Sequence, residues 1–399
     1  MPRGIQKTNR AGQMVLWAAV AALTVPGLAG AQEITLQTKD GNTITGELIE
    51  FGDNNYLIDS ALGRLNVRAD QVECFGEGCP VIAPETVVWD VSLWGKRRAF
   101  TEHIEKMAEL VAEKTDGDFT LNLSYGGLSP SVENLDGIST GKFEMAQFCA
   151  GYHPEKNPSL NVLELPFLGV STLEQEVAVS LAVYEHPFTQ ADMARWNATL
   201  LMPSPQPQQN LMGSGQPPTS LADFGRMTIR APGGIGDAVE SLGATAVTLP
   251  APAVAEALSS GEIAAVSFAP HAHMSFGTIE SGSWWTTNLN PGTTNCPVVV
   301  NTNALDALSL EHREALLSSV DPALDHYLDH YTNVTMQAWF PALDDRNIIQ
   351  LTFGDEILAR INSSVAAPTA ALWIAENSAQ GVPAQELYNL VVQTVADNF

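Results

Sequence analysis

From Val87 to Val300 short β-type runs alternate with stretches of helical period, and this alternation restricts the fold more than any other feature of the chain. Val87–Leu93 reads as a strand, Phe100, Ile104, Met107 and Val111 mark one face of a helix, and Phe119–Leu123 reads as the next strand. Glu144–Cys149, Met227–Ala231, Ala244–Leu249, Ala264–Ala269 and Cys296–Val300 continue the series. Such a pattern predicts an α/β fold with mainly parallel sheets and helices on both faces, whose ligands sit beyond the carboxyl ends of the strands. Met202–Pro207 is extended and proline-rich in the middle of this region, and reads as a crossing between two lobes. Beyond Leu305 the pattern turns helical, and the stretch from Ala323 to Trp339 is long enough to brace both lobes.

The start of the chain has a different character. Arg3, Lys7 and Arg10 precede the apolar stretch Met14–Leu28 and then Ala29-Gly30-Ala31, which is the plan of a secretory signal peptide over residues 1–31. Its apolar part is short and interrupted by Pro26 and Gly27, and no later stretch approaches about 20 uninterrupted apolar residues, so an exported, soluble chain without membrane insertion is expected. Loss of three basic residues would take the formal charge from −26 to about −29, leaving no basic stretch to follow a phosphate backbone. Nucleic acid is therefore excluded as a partner.

About 368 remaining residues exceed one ordinary core. Residues 33–80 carry short alternating strands (Ile34–Gln37, Thr43–Ile49, Tyr56–Ile58, Leu65–Val67) separated by Lys39-Asp40-Gly41-Asn42 and Gly52-Asp53-Asn54-Asn55, the pattern of a small all-β module. Such a module is marginal alone, which suits a disulfide between Cys74 and Cys79; half of a zinc site is the alternative for that pair, with no second half in the sequence. Cys149 and Cys296 flank apolar strands and are either paired or two buried thiols. Ile82–Glu85 reads as a linker.

Against the acidic background one cation is conspicuous. Between Arg195 and Arg313 there is no lysine and there are only two arginines, and the second, Arg230, ends the run Met227-Thr228-Ile229-Arg230 just before Ala231-Pro232-Gly233-Gly234. A planar guanidinium grips a carboxylate through two parallel hydrogen bonds, so Arg230 is a candidate ligand anchor; the plainer alternative is a surface pair with Asp223 or Asp237. The helix start that follows it, rich in glycine, also suits an anion.

In this order the chain resembles the periplasmic solute-binding subunits of TRAP (tripartite ATP-independent periplasmic) transporters, of the DctP-like family. The resemblance rests on Phe100–Ile104 through Glu113–Gly117, Gly126-Gly127-Leu128, Leu135–Met145, Glu164-Leu165-Pro166-Phe167-Leu168, Leu221–Gly234, Leu242-Gly243-Ala244-Thr245, Ala255–Gly261 and Val299-Val300-Asn301, over about residues 86–330. It implies a two-lobed fold like a type II periplasmic binding protein, with crossing strands and a long bracing helix, closing over a small organic acid. The resemblance implies lobe I from 86–207 plus about 297–335, and lobe II from 208–296 plus about 336–399. It further implies a TRAP membrane partner, a periplasmic location, and ligand contacts from Arg230 as carboxylate clamp, Gln147 and Asn210 as polar contacts, and Trp94 and Phe268 as apolar walls. Where many members carry acidic residues after the helix ending at Gly261, this chain has Ala264–Pro270, so the metal ion of the 2-oxoacid-binding branch is not expected, although Trp284-Trp285 and Pro291-Gly292-Thr293-Thr294 resemble that branch. Residues 33–80 lie outside the resemblance; a sensor or scaffold that contacts a partner through them is the alternative reading.

Rival chemistry finds less support. Gly234-Ile235-Gly236 lacks the third glycine of a dinucleotide fingerprint. His271 with His273, and His326 with His330, have metal-ligand spacing, but the sequence places no third ligand beside either pair. No nucleophile elbow or catalytic-cysteine signature is present. No catalytic residue, cofactor or metal is expected.

Overall fold

The computed structural model describes residues 33–38, 40–52, 54–80 and 86–398, in two compact units that divide between Ala83 and Pro84. The expected signal peptide and linker lie outside the described residues.

The first unit is a single antiparallel sheet of β1 (Glu33–Thr38), β2 (Thr43–Gly52), β3 (Asn55–Ser60), β4 (Gly63–Arg68) and β5 (Val72–Phe75), in the order β4-β3-β2-β1-β5. Period-2 alternation decides which face closes: Ile34, Leu36, Tyr56 and Ile58 form its small core, and partly buried Ile44, Leu48 and Leu65 pack around them. Gly46 is required by close approach, because a Cβ there would fall 2.7 Å from the Asp59 carbonyl oxygen. Cys74 and Cys79 are joined as expected, closing the hairpin-like end of β5.

The second unit contains two sheets. The first is made of β6 (Val87–Leu93), β7 (Phe119–Tyr125), β8 (Met145–Gln147), β9 (Ala198–Met202) and β15 (Val298–Asn301), in the order β7-β6-β8-β15-β9. The second is made of β10 (Asn210–Gly213), β11 (Thr228–Arg230), β12 (Thr245–Val247), β13 (Ala265–Phe268), β14 (Trp284–Thr286) and β16 (Ile349–Leu351), in the order β12-β11-β13-β10-β14-β16.

Both sheets are covered on both faces, and the alternation of side chains shows it. Met145, Val298 and Val300 enter one core of the first sheet, with Trp89, Val91 and the helical residues Ile104, Met107 and Val111. Ala146, Phe148 and Val299 enter the opposite core, with Leu135, Ile138 and Val179. In the second sheet Met212, Val266 and Trp285 face one core and Leu211, Ala265 and Trp284 the other. Adjacent Trp284 and Trp285 thus pack in opposite layers, and a Cβ at Gly213 would lie 2.0 Å from the Trp284 ring.

The sheets are mixed rather than mainly parallel. β6 runs parallel to β7 and β8, and β11 parallel to β12 and β13, as the alternation predicts. β15 is antiparallel to β8 and β9, and β10 antiparallel to β13 and β14. The reason is connectivity: β10 and β15 are the strands reached by the chain as it crosses between sheets, through residues 203–209 and 287–297, and each enters its new sheet from the opposite direction. A third link is helical: Val320–His330 continues through a π-helical turn at Tyr331–Thr335 into Met336–Asp345.

The end of the chain departs from the expected division at residue 336. The helix Asp355–Ala379 places Ile361 and Val365 in the second sheet's core and Ala370 in the first sheet's, and the last helix, Ala384–Asn398, sets Leu387 and Val391 against Val179 and Val183 of helix Leu173–Glu185. The apolar stripe of the last helix is buried there.

Closing a six-residue loop by Cys74–Cys79 removes about 2 kcal/mol of unfolded-chain entropy from a unit with four fully buried core residues. Replacing both cysteines by serine should increase amide hydrogen exchange across β1–β5 in the full chain and leave exchange in β6–β16 unchanged; equal protection in the variant would show that the sheet does not need the staple.

Candidate functional site

The two crossing segments meet where the carboxyl ends of the strands converge, and the side chains there enclose a cavity with room for a few water centres, about 40 Å³. Its lining comes from the loop after β6 (Trp94, Arg98, Phe100), the turn after β8 (Cys149, Tyr152), the crossings (Gln206, Gln209, Thr294, Cys296), the end of β11 (Arg230) and the end of β13 with the helix after it (Phe268, His271, Phe276).

Arg230 is 3 % exposed and pairs with neither Asp223 nor Asp237. Asp223 caps its own helix start, accepting from Thr219 and Ser220. The Arg230 guanidinium instead donates to the carbonyls of Leu249 (Nε, 3.0 Å) and Ser267 (Nη1, 3.2 Å) and to the Tyr152 hydroxyl (Nη2, 3.3 Å), with its carbon 4.7 Å from the centre of the Phe268 ring. Burial pushes its pKa below the usual arginine value, opposed by Tyr152 and by Glu164. Neutral carbonyls orient this group without neutralising it.

A second buried guanidinium faces the same cavity. Arg98 donates through Nη1 to the carbonyls of Trp94 (2.7 Å) and Lys96 (3.0 Å), lies between the rings of Trp94, Phe100 and Phe276 at 5.5, 5.4 and 5.3 Å, and has no partner for Nε. Burial lowers its pKa to about 10. Neighbouring His271 is held neutral by burial first and by Arg98 second, and its Nδ1 is 2.8 Å from the Tyr331 hydroxyl. In a chain of formal charge −26, the cavity wall among the described residues thus contains two cations and no carboxylate.

Of the five expected ligand residues, Arg230, Trp94 and Phe268 come together on this wall. Gln147 and Asn210 do not reach it. Gln147 is fully buried and donates to Ser204 Oγ at 2.9 Å, tying the first crossing to β8. Asn210 Oδ1 accepts from Thr286 Oγ1 and the Leu289 amide, and its Nδ2 donates to Asn290 at 2.7 Å, so its hydrogen-bonding capacity holds the second crossing. Polar positions on the wall are instead Gln206 and Gln209, just before Asn210 in the chain, whose Nε2 atoms bond to the Thr294 carbonyl (3.0 Å) and to its Oγ1 (2.9 Å). Arg98 escaped the sequence reading although a signal was present: Lys96-Arg97-Arg98 is a run of three cations directly after Trp94-Gly95.

Cys149 and Cys296 are disulfide-bonded, which resolves the alternatives for that pair. Continuing the β8–β15 register, in which Gln147 faces Val298, sets them directly opposite one another. The bond fixes the turn carrying Tyr152 to the second crossing.

The glycine-rich helix start after Arg230 is packed closely against Glu164. Gly233, at φ +55°, and Gly234 open helix Gly233–Ser241, and Cβ atoms there would fall 2.1 Å from Glu164 Oε2 and 2.0 Å from the Glu164 carbonyl oxygen. Only glycine admits this approach. Glu164 accepts from the amides of Asn295 (2.9 Å) and Gly151 (3.1 Å), and burial, partly offset by these amides and Arg230, raises its pKa to about 7. Glu176 nearby is raised to about 8 by burial and by the Glu164 charge.

Residues 92–371 match the family described as bacterial extracellular solute-binding protein, family 7 (DctP), and the chain belongs to it. The fold is shared with solved structures. A TRAP solute binding protein from an unidentified marine metagenome microbe, specific for aromatic acid ligands and in complex with metahydroxyphenylacetate, is 22% identical with a TM-score of 0.70, the match covering 78% of this chain and 99% of that one. DctP7 of Bordetella pertussis, an extracytoplasmic solute receptor binding pyroglutamic acid, is 18% identical with a TM-score of 0.67, covering 76% and 99%. A TRAP periplasmic solute binding protein of Roseobacter denitrificans with bound β-D-glucuronate is 20% identical with a TM-score of 0.67, again covering 76% and 99%. No helix among the described residues is long and apolar enough to cross a membrane.

Both buried carboxyls hold a proton more tightly in the native state than in the unfolded chain, where a glutamate titrates near 4.3. Their stabilisation is present below about pH 4.3 and is lost as pH rises through about 7 to 8, so the melting temperature should fall across this window. Glu176→Gln, a near-isostere without the charge, should flatten that fall; an unchanged slope would place its cause elsewhere.

Proposed function

We propose that this chain captures a small organic acid in the cleft between its two sheets and delivers it to a TRAP-type membrane transporter in the periplasm. The observation that carries the reading is the buried, unneutralised guanidinium of Arg230, oriented by carbonyls and aimed into a cavity whose described wall holds no acid. A carboxylate entering there supplies the missing charge in a water-excluded setting, where the attraction is far stronger than at the surface. Opening of the lobes admits the acid and closure seals it, and the closed form is what the membrane partner recognises.

The walls narrow the class. Trp94, Phe100, Phe268 and Phe276 offer flat apolar faces, while Arg98, whose Nε has no partner among the described residues, offers a second cationic donor away from Arg230. This combination suits an acid with a flat or apolar face and a second acceptor group. The relatives hold metahydroxyphenylacetate, pyroglutamic acid and β-D-glucuronate, each a carboxylate with further polar atoms, which supports the reading.

The test is a thermal-shift screen of ligand-stripped protein against aromatic acids, pyroglutamate, uronates and dicarboxylates, followed by calorimetry on the best ligand. Arg230→Ala should lower affinity by about 2–5 kcal/mol, roughly 30-fold to several thousandfold, without changing the far-ultraviolet circular dichroism. Arg230→Lys, which retains charge but not the fork, should recover only part of the loss. Wild-type affinity in Arg230→Ala would remove the clamp from Arg230.

The sheet at residues 33–75 lies outside the family match and favours a second reading, in which the ligand unit reports to a partner through this sheet. Deleting residues 33–80 should leave ligand affinity unchanged under either reading. Unchanged uptake by cells would leave the sheet to a partner or anchoring role, and lost uptake would tie it to transport.

A further inference from the structure

The sequence offers His326 and His330 at i and i+4 without a third ligand; the fold supplies one. Helix Glu102–Lys114 packs along helix Val320–His330, and this brings Glu102 to the two histidines, so that an imidazole nitrogen from each and a Glu102 carboxylate oxygen all lie within 4.8 Å of one another. We propose that Glu102, His326 and His330 form a binding site for one zinc-class divalent cation, which staples the start of the first helix to the end of the second.

The donor set is that of a borderline-soft ion: two neutral imidazoles and a carboxylate, the fourth position left to water. Bonds of about 2.0–2.1 Å in a tetrahedral shell put ligand atoms roughly 3.4 Å apart, so the three must close by at most about 1.4 Å. The freedom for this is on the histidine side. His326 is exposed and His330 partly so, with ring centres 6.1 Å apart, and both turn by side-chain rotation alone. Glu102 is the fixed member, its side chain only 12% exposed.

One competitor occupies the carboxylate. Arg97 reaches Glu102 with two contacts of 3.3 Å each, and Nε lies 3.7 Å from Glu105 Oε1. The Arg97 side chain is 60% exposed and both contacts are long, so a divalent ion on Glu102 displaces it onto Glu105 at little cost.

The place of the staple gives it consequence. The residue after each histidine points the other way, into the protein: Tyr327 donates to the Pro205 carbonyl of the first crossing at 2.5 Å, and Tyr331 bonds His271 of the cavity wall. The π-helical turn begins immediately after His330. An ion held here fixes the last turn of helix before the irregular link between the two sheets.

The experiment uses tag-free full-length mature protein, stripped with a chelator and titrated with zinc chloride against a chromogenic chelator, with magnesium as the control ion. One equivalent should bind in the micromolar range or tighter, and zinc should raise the melting temperature. His326→Asn and His330→Asn should each weaken binding at least tenfold and abolish the zinc-dependent rise, with chelator-treated melting as in wild type, which separates loss of the site from loss of the fold. His186→Asn, distant on helix Leu173–Glu185's carboxyl end, should bind as wild type. The proposal is overturned if zinc does not bind saturably at one equivalent, or if the double variant His326→Asn/His330→Asn retains wild-type affinity.

Discussion

A guanidinium buried beside aromatic rings with no carboxylate partner is the constraint around which the larger unit is arranged. Transferring such a charge out of water is expensive, and the fold meets the expense with dipoles rather than with an opposite charge: carbonyls of Leu249 and Ser267 and the Tyr152 hydroxyl hold Arg230, and carbonyls of Trp94 and Lys96 hold Arg98. These dipoles come from both lobes and from the loops at strand ends. The cavity wall is consequently assembled only when β11, β13 and the turn after β8 are all in place, and the disulfide between Cys149 and Cys296 holds that turn to a crossing segment. Glu164, whose Oε1 accepts from the amides of Gly151 and Asn295 and which packs against Gly233 and Gly234, moderates Arg230 electrostatically without pairing with it.

Much of this arrangement is legible in the sequence. The strands of the N-terminal sheet follow directly from period-2 alternation, because one face of a lone sheet must close on itself; the fifth, Val72–Phe75, is short and ends at a cysteine, and went unread. Arg230 was legible because its type, its isolation and its position before a Pro-Gly turn agree. Strand direction was not. Alternation of strand and helix predicts parallel neighbours, and the exceptions, β10 and β15, arise where the chain leaves one sheet for the other, a choice made by packing of whole layers.

The polar wall differs from the expected one because strand and crossing backbone aim their side chains differently. Gln147 and Asn210 sit within strands, where the pleat turns them to structural partners, whereas Gln206 and Gln209 lie in irregular crossing backbone and face the cavity. No periodicity governs such a segment, so the polar residues on the cavity wall are ones that pattern reasoning reaches least well. Arg98 shows the converse: three consecutive cations in a strongly acidic chain were a visible signal, obscured because a run of charges ordinarily means solvent.

The two crossings also set when the molecule can fold. The first sheet waits for β15 at Val298–Asn301 and the second for β16 at Ile349–Leu351, and the last helix, Ala384–Asn398, adds Leu387 and Val391 to the core on one side of the first sheet, so neither lobe is a contiguous stretch of chain that can close while the remainder is still being made. A polypeptide of this topology stays unfinished until nearly its last residue is available. This makes a carboxyl-terminal truncation a lesion in the amino-terminal half, because loss of Leu387 and Val391 uncovers Val179 and Val183.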